Sequence, residues 1–439
     1  MLHILNPEAI IRRTRRMQLN KGEYIVPGPD YIWSIDGHDK LSPFGIDIYA
    51  CIDAYSRAII WVYVGISNRT SHSVVQQYLM TCARLGYMPM FFRADKGGEL
   101  PLIAEAHFCF SRLADPSVLR VQDCFYFGKS TKNQRIESWW QELECSQLFR
   151  WRVSYTSFPY TAFFWPKLLG ILFRCARTIQ LTSHMQNYFT ELANKGWYHS
   201  QNPWDRIALL ALYMPRIRDE VFGYADLWNV HTIRADPTRP NHVSGKPFFL
   251  YRHPKRGAER HAQPVNTDLC NRILEDCECW GEIYISFRLY SSLYILIFID
   301  LDEYLPPVTL NWCYQALLSR GIDLNTLQLS DVGPGGDAPL HVYAYHALRA
   351  AIYDHMHAAA LPVLAESVIP RGGYGAAITR GGALSEIFQS NLDFRAQVLQ
   401  SGLTFQPTAP PDPQEGFLYV GDDGLDRGWS QEGLVGLDI

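Results

Sequence analysis

The stretch Tyr31 to Leu41, YIWSIDGHDKL, constrains this chain more than any other: an apolar run of strand composition arrives at an acid followed at once by glycine. Unpaired charge at a buried strand end costs several kcal/mol per ion, so Asp36 needs company from elsewhere in the chain. Two later acids stand in suitable places. Asp95 follows the apolar run Met88 to Ala94, and Glu137 lies 42 positions further on, in KNQRIESWWQEL. Singly, each has an ordinary explanation: Asp36 caps a turn, Asp95 opens the Lys96-Gly97-Gly98 turn, and Glu137 is an exposed helix residue. Three acids converging on one sheet edge make a metal site instead. Hard oxygen ligands without nearby His or Cys pairs favour Mg²⁺ or Mn²⁺.

Hydrophobic periodicity predicts how they converge. Residues 31–36, 46–53 and 58–65 read as strands joined by short connections, hence as an antiparallel meander. A helix follows, with the capping types Asn68, Thr70 and Ser71 at its start, Val74, Val75, Tyr78, Leu79 and Cys82 at helical spacing, and Gly86 at its close. Residues 88–94 then form a buried strand. A helix separates it from the meander, so it returns parallel to the first strand and sets Asp95 beside Asp36. A helix near 101–113, a short strand at 123–127 and a helix from about Lys132 through Glu144 complete the unit. Glu137 lies near the start of that last helix.

This order, with acids on strand one, strand four and the last helix, resembles the catalytic core of retroviral integrases and DDE transposases. The nearer resemblance is to integrase-core proteins encoded in eukaryotic genomes. It is carried by Val26-Pro27-Gly28-Pro29, Trp33 to Leu41 (WSIDGHDKL), Arg93 to Glu99 (RADKGGE), Asn133 to Trp140 (NQRIESWW), Trp228 to Arg234 (WNVHTIR) and Gly245-Lys246-Pro247, and it covers roughly residues 10–255. It implies an α/β, ribonuclease H-like core with a mixed five-stranded sheet flanked by helices, followed by a helical extension and a separate α+β C-terminal region. It also implies a transposon-derived polynucleotidyl transferase that nicks DNA 3′ ends and joins them to target DNA, acting as a homo-oligomer. By analogy with two-metal phosphoryl transfer, Asp36 bridges two ions about 3.5 to 4 Å apart, with Asp95 on one and Glu137 on the other. Lys129, Lys132 and Arg135 are the candidates for holding DNA phosphates, a solvated helix face being the alternative for each. Asp39, Lys40 and Glu99 belong to the matching blocks and read as members of structural salt bridges. Members of the group usually have further residues ahead of this start, so a DNA-recognition domain is expected to be missing.

The chain departs from the pattern in two ways. Gln141 and Glu144 stand where many integrases carry lysines, and the second and third acids are further apart than in retroviral enzymes, which calls for an extra loop around Asp115 to Arg120. The same fold without catalysis, as a DNA-binding scaffold, and a ribonuclease H-like nuclease acting on hybrids are the alternative readings.

Charge divides the chain. Residues 1–265 hold 32 Lys plus Arg against 22 Asp plus Glu, and residues 266–439 hold 8 against 22. A basic domain bearing an acidic cluster suits a phosphate polymer and metal catalysis, whereas an acidic second part repels the same polymer. The expected segments are a basic arm at 1–24, the catalytic core at 25–150, a helical extension at 151–235, a basic loop and linker at 236–265, a C-terminal region of unassigned role at 266–400, and a disordered tail at 401–439. Arg12-Arg13-Thr14-Arg15-Arg16 reads as a solvated helix face, a phosphate-contacting arm or a nuclear-import signal, and the nucleus is the expected location. The scattered cysteines read as buried small hydrophobes rather than as a zinc set at Cys270, Cys277 and Cys279. No run is long enough for a membrane span. Residues 207–227 are expected as a helix broken at Pro215, residues 283–299 as two buried strands, and residues 340–364 as one or two buried helices.

Overall fold

The structure, a computed structural model, describes residues 25–66, 70–95, 97–128, 133–146, 181–235, 243–278, 297–299, 304–327, 331–333, 339–367, 418–420 and 426–428. Its centre is a mixed sheet. Strand β1 (Ile32–His38) pairs antiparallel with β2 (Asp47–Asp53), which pairs antiparallel with β3 (Ile59–Gly65). Helix α1 (Ser71–Leu85) carries the chain across to β4 (Tyr87–Met88) and β5 (Phe91–Ala94), and β5 lies parallel to β1. Helix α2 (Pro101–Ala114) leads to β6 (Phe125–Phe127), parallel to β5, and α3 (Gln134–Ser146) follows. This is the five-stranded, helix-flanked α/β core expected.

Capping explains the helix bounds. The Thr70 side chain accepts from Ser73 N at the start of α1, and Gly86, at φ 75°, closes it in the left-handed conformation that glycine tolerates. Two expectations need adjusting. The run 88–94 is two strands, of which β4 leaves the sheet to pair with residues 263–264. Asp36 also stands inside β1 rather than at its end, because β2 continues to pair with Gly37 and His38.

Strand alternation builds two apolar clusters, one on each face. Trp33, Ile35, Tyr49, Cys51, Trp61 and Tyr63 pack with α1 and α2, while Ile48, Ala50, Ile52, Val62 and Val64 pack with α3 and the later helices. Every residue of β2 and β3 is buried, as expected of strands covered on both sides.

The later helices extend the second cluster. Helix α4 (Leu181–Asn194) is followed by α5 (Pro203–Val230). The break expected at Pro215 is absent: α5 is one helix of 28 residues. A mid-helix proline costs about 3 kcal/mol, which the complete burial of Ile207 to Met214 outweighs. Next come α6 (Pro247–Arg252), β7 (Gln263–Pro264) and α7 (Thr267–Glu278), the last seated on α1 with Cys270 and Ile273 buried.

The described part of the C-terminal region packs against this body. Strand β8 (Ile297–Ile299) adds a sixth strand, parallel to β3, and α8 (Pro307–Leu318) and α9 (Leu340–His357) share the apolar cluster of α5. Strands β9 (Leu418–Val420) and β10 (Asp426–Gly428) pair antiparallel within the stretch expected as a disordered tail. The first of the two strands expected in 283–299, the zinc candidate Cys279 and the basic arm at 1–24 lie outside the described residues. No helix among the described residues is long and apolar enough to cross a membrane.

Candidate active site

Alternation along β1 decides which way Asp36 faces. Ile35 belongs to the cluster under α1 and α2, so Asp36 turns to the other face, where α3 lies. Parallel register pairs Ser34 with Arg93; continued two residues, it brings Asp95 alongside Asp36. Glu137 arrives on α3. There Asn133, Glu137 and Trp140 recur at intervals of four and three, the spacing of one helix face, and that face is pinned to β1 on either side of Glu137. Asn133 Nδ2 donates to the Ile35 carbonyl at 2.9 Å, and Trp140 Nε1 donates to Asp36 Oδ2 at 3.0 Å. The Trp140 ring also stacks on buried His38, with centroids 5.0 Å apart.

The acids act on one another. The Asp36 carboxyl is pushed well above the usual carboxylate range, first by burial and then by the charges of Asp95 and Glu137, while the Trp140 N–H opposes the shift. Asp95 is raised as well, by burial and by Asp39. The hydroxyl of buried Tyr49 is raised by burial together with Glu99, Asp95 and Asp36, so Glu99 belongs to the same electronegative neighbourhood. No Lys or Arg among the described residues pairs with Asp36 or Asp95. All three acids keep part of their surface open. The donor set thus has the oxygen chemistry and the access for a hard cation, which would relieve the cost of burying Asp36. Even so, no three His, Cys, Asp or Glu side chains among the described residues are grouped closely enough to hold a metal ion. The carboxylates are electrostatic neighbours without being an assembled ligand shell.

The other expected residues fall out unevenly. Arg135 is half-buried on α3, and Lys129 and Lys132 lie outside the described residues. Asn133 and Trp140 carry the geometry of the site although the motif alone assigns them no role; their spacing from Glu137 was the available signal.

The remaining motif blocks brace the scaffold. Trp228 Nε1 donates to the Arg57 carbonyl at 2.8 Å, and the buried Asn229 carboxamide takes both backbone groups of Ile59, accepting from N at 2.8 Å and donating to O at 3.0 Å. Together they grip the β2–β3 turn where the strand register shifts. Asp30, fully buried, accepts from Trp33 Nε1, Tyr251 and Arg260, and its own N–H donates to Asp53. Burial and the neighbouring Asp30 push Asp53 up to about 7.

Residues 23–159 match the family model described as "Integrase core domain". No curated protein matches the chain.

Proposed function

We propose, from the match of residues 23–159 to the integrase core domain model, that the protein is a metal-dependent polynucleotidyl transferase of mobile-element origin. It nicks DNA at a 3′ end and joins that end to target DNA. Domains of this family generally bind nucleic acid and use divalent metals. What supports the finer reading is the position of Asp36, facing Asp95 and Glu137 with no described cation to balance it.

Asp36, Asp95 and Glu137 are the residues that would hold two Mg²⁺ or Mn²⁺ ions. When bound, such ions lower the pKa of an attacking water or 3′-hydroxyl and stabilise the leaving oxygen. The chain's own part is orientation. Asn133 fixes the start of α3 against β1, so that Glu137 is delivered to the Asp36 side of the sheet. Trp140 holds one Asp36 oxygen by its N–H and leaves the other free for a ligand. Lys129, Lys132 and Arg135, close in sequence to Glu137, would supply positive charge for the phosphates. Nuclear location and a multimer that joins two ends belong to the same proposal.

The test is strand joining by the full chain on branched and linear duplexes in Mn²⁺. Joining that vanishes in Asp36→Asn, Asp95→Asn and Glu137→Gln supports the transferase. Metal-independent DNA binding with no joined or nicked product indicates a scaffold, and cleavage of the RNA strand of a hybrid without joining indicates a nuclease.

A further inference from the structure

From the opposite end of β1 to Asp36 comes a second feature. Residues 243–262 carry Lys246, Arg252, Lys255, Arg256 and Arg260 against the single acid Glu259. Arg260 is spent on the protein: its Nε donates to Asp30 Oδ2 at 2.7 Å, and its guanidinium lies over the Tyr87 ring at 4.4 Å, while Lys255 Nζ reaches only the exposed Ser244 hydroxyl, at 3.3 Å. Lys246, Arg252, Lys255 and Arg256 are exposed and pair with no carboxylate among the described residues.

This basic strap is firmly bolted down. His261 N donates to the Pro29 carbonyl at 2.9 Å, Lys255 N donates to the Tyr55 hydroxyl at 3.0 Å, and residues 263–264 pair with β4. The Glu259 carbonyl sits so close over Gly28 that a Cβ there would be 1.8 Å from its oxygen. The inner side of the strap is therefore fixed while its outer side is given to cations that pair with no described carboxylate and repel one another. Phe249 lies among them, 52% exposed, with His253 against its ring at 4.9 Å. Cations interleaved with an exposed ring on an ordered backbone suit a phosphate polymer, since little side-chain and loop freedom is left to lose on binding.

We propose that residues 246–256 are a second DNA-docking surface, gripping duplex phosphates away from the acid site. Its ligand class rests on the reading of the core as a DNA enzyme, but its action needs neither metal nor catalysis. One isolated ring is too little apolar surface to insert into a lipid bilayer, and this favours the duplex.

The test uses the full chain and a labelled 30-base-pair duplex, with binding followed by fluorescence anisotropy in EDTA across 50 to 200 mM salt. In the triple variant Arg252→Gln, Lys255→Gln, Arg256→Gln, affinity at low salt should fall about tenfold or more, and the slope of log K against log salt should lessen by about 2.7, roughly 0.9 per phosphate contact. The triple Glu variant should lose more, and the charge-keeping swap Arg252→Lys, Lys255→Arg, Arg256→Lys should bind as the parent does. Binding is read in EDTA, without metal or chemistry, so a failure of strand joining leaves this result standing. Unchanged affinity and slope in both neutral and acidic variants overturn the proposal. So does loss of binding to phosphatidylserine vesicles with duplex binding intact.

Discussion

At the residue scale the informative side chain is Trp140. Its N–H is a charge-assisted donor to Asp36, an interaction of a kind worth about 1.5 to 3 kcal/mol, and its ring rests on His38. Trp140→Phe keeps the ring and removes the donor. Calorimetric Mn²⁺ uptake should weaken several-fold while the melting temperature moves by no more than about 3 °C; unchanged uptake would mean the indole does nothing to orient Asp36. His107 gives a pH prediction away from the site. It is fully buried between Tyr78 and Phe92, accepts or donates at 3.0 Å with the Tyr78 hydroxyl, and burial lowers its pKa to about 3. A base whose folded pKa lies below its unfolded value binds its proton in the unfolded chain first. Stability is therefore fully present above about 6.5 and is lost as pH falls toward 3, by up to about 1.4 kcal/mol per pH unit from this group. In an NMR titration its ring resonances should stay fixed from pH 8 to 5, and His107→Gln should flatten the acid limb of the unfolding curve by up to one proton.

At the scale of elements, the joints matter more than the strands they join. Asn229 satisfies both backbone groups of Ile59 where β2 and β3 change register. Asn229→Ala strands two buried polar groups at about 1 to 3 kcal/mol each, so chemical denaturation should show a loss of about 2 to 6 kcal/mol. Gly28 is the corresponding joint for the basic strap. Gly28→Ala must move the Glu259 carbonyl, and proteolysis near residues 255–259 should accelerate while the charge of the chain is unchanged. Cleavage at the parental rate would show that the contact yields easily.

At the scale of the molecule, the C-terminal helices are tied to the rest through Asp205 at the head of α5. This carboxylate is fully buried and accepts from Arg349 Nε at 2.7 Å, from the Tyr353 hydroxyl at 2.9 Å and from His199 N at 2.9 Å. Removing one partner of a buried pair typically costs about 3 to 5 kcal/mol. Arg349→Ala should therefore lower the melting temperature markedly, and adding Asp205→Asn should recover part of the loss. A double mutant no better than the single would show that the tie is dominated by packing. The negative charge of residues 266–439 is thus carried by a region that, where described, helps complete the core.

The core topology, and with it the elements on which Asp36, Asp95 and Glu137 lie, was legible in the sequence, because period-two and period-3.6 patterns name strands and helices and each acid sits at a fixed place relative to one of them. Two things were not. Pro215 reads locally as a helix breaker, yet burial along Ile207 to Met214 overrides it, and burial is a property of what packs on a helix. Nor could the spacing of 42 residues reveal that Asn133 and Trp140 clasp β1 on either side of Glu137, since such hydrogen bonds span about a hundred positions of chain. The sequence by itself determined which residues could meet and on which face of each element. Only the tertiary structure decided that α3 lies on the Asp36 side of the sheet, that the basic strap is anchored at the other end of β1, and that the C-terminal helices close the core, because each depends on burying apolar faces that local chemistry leaves unassigned.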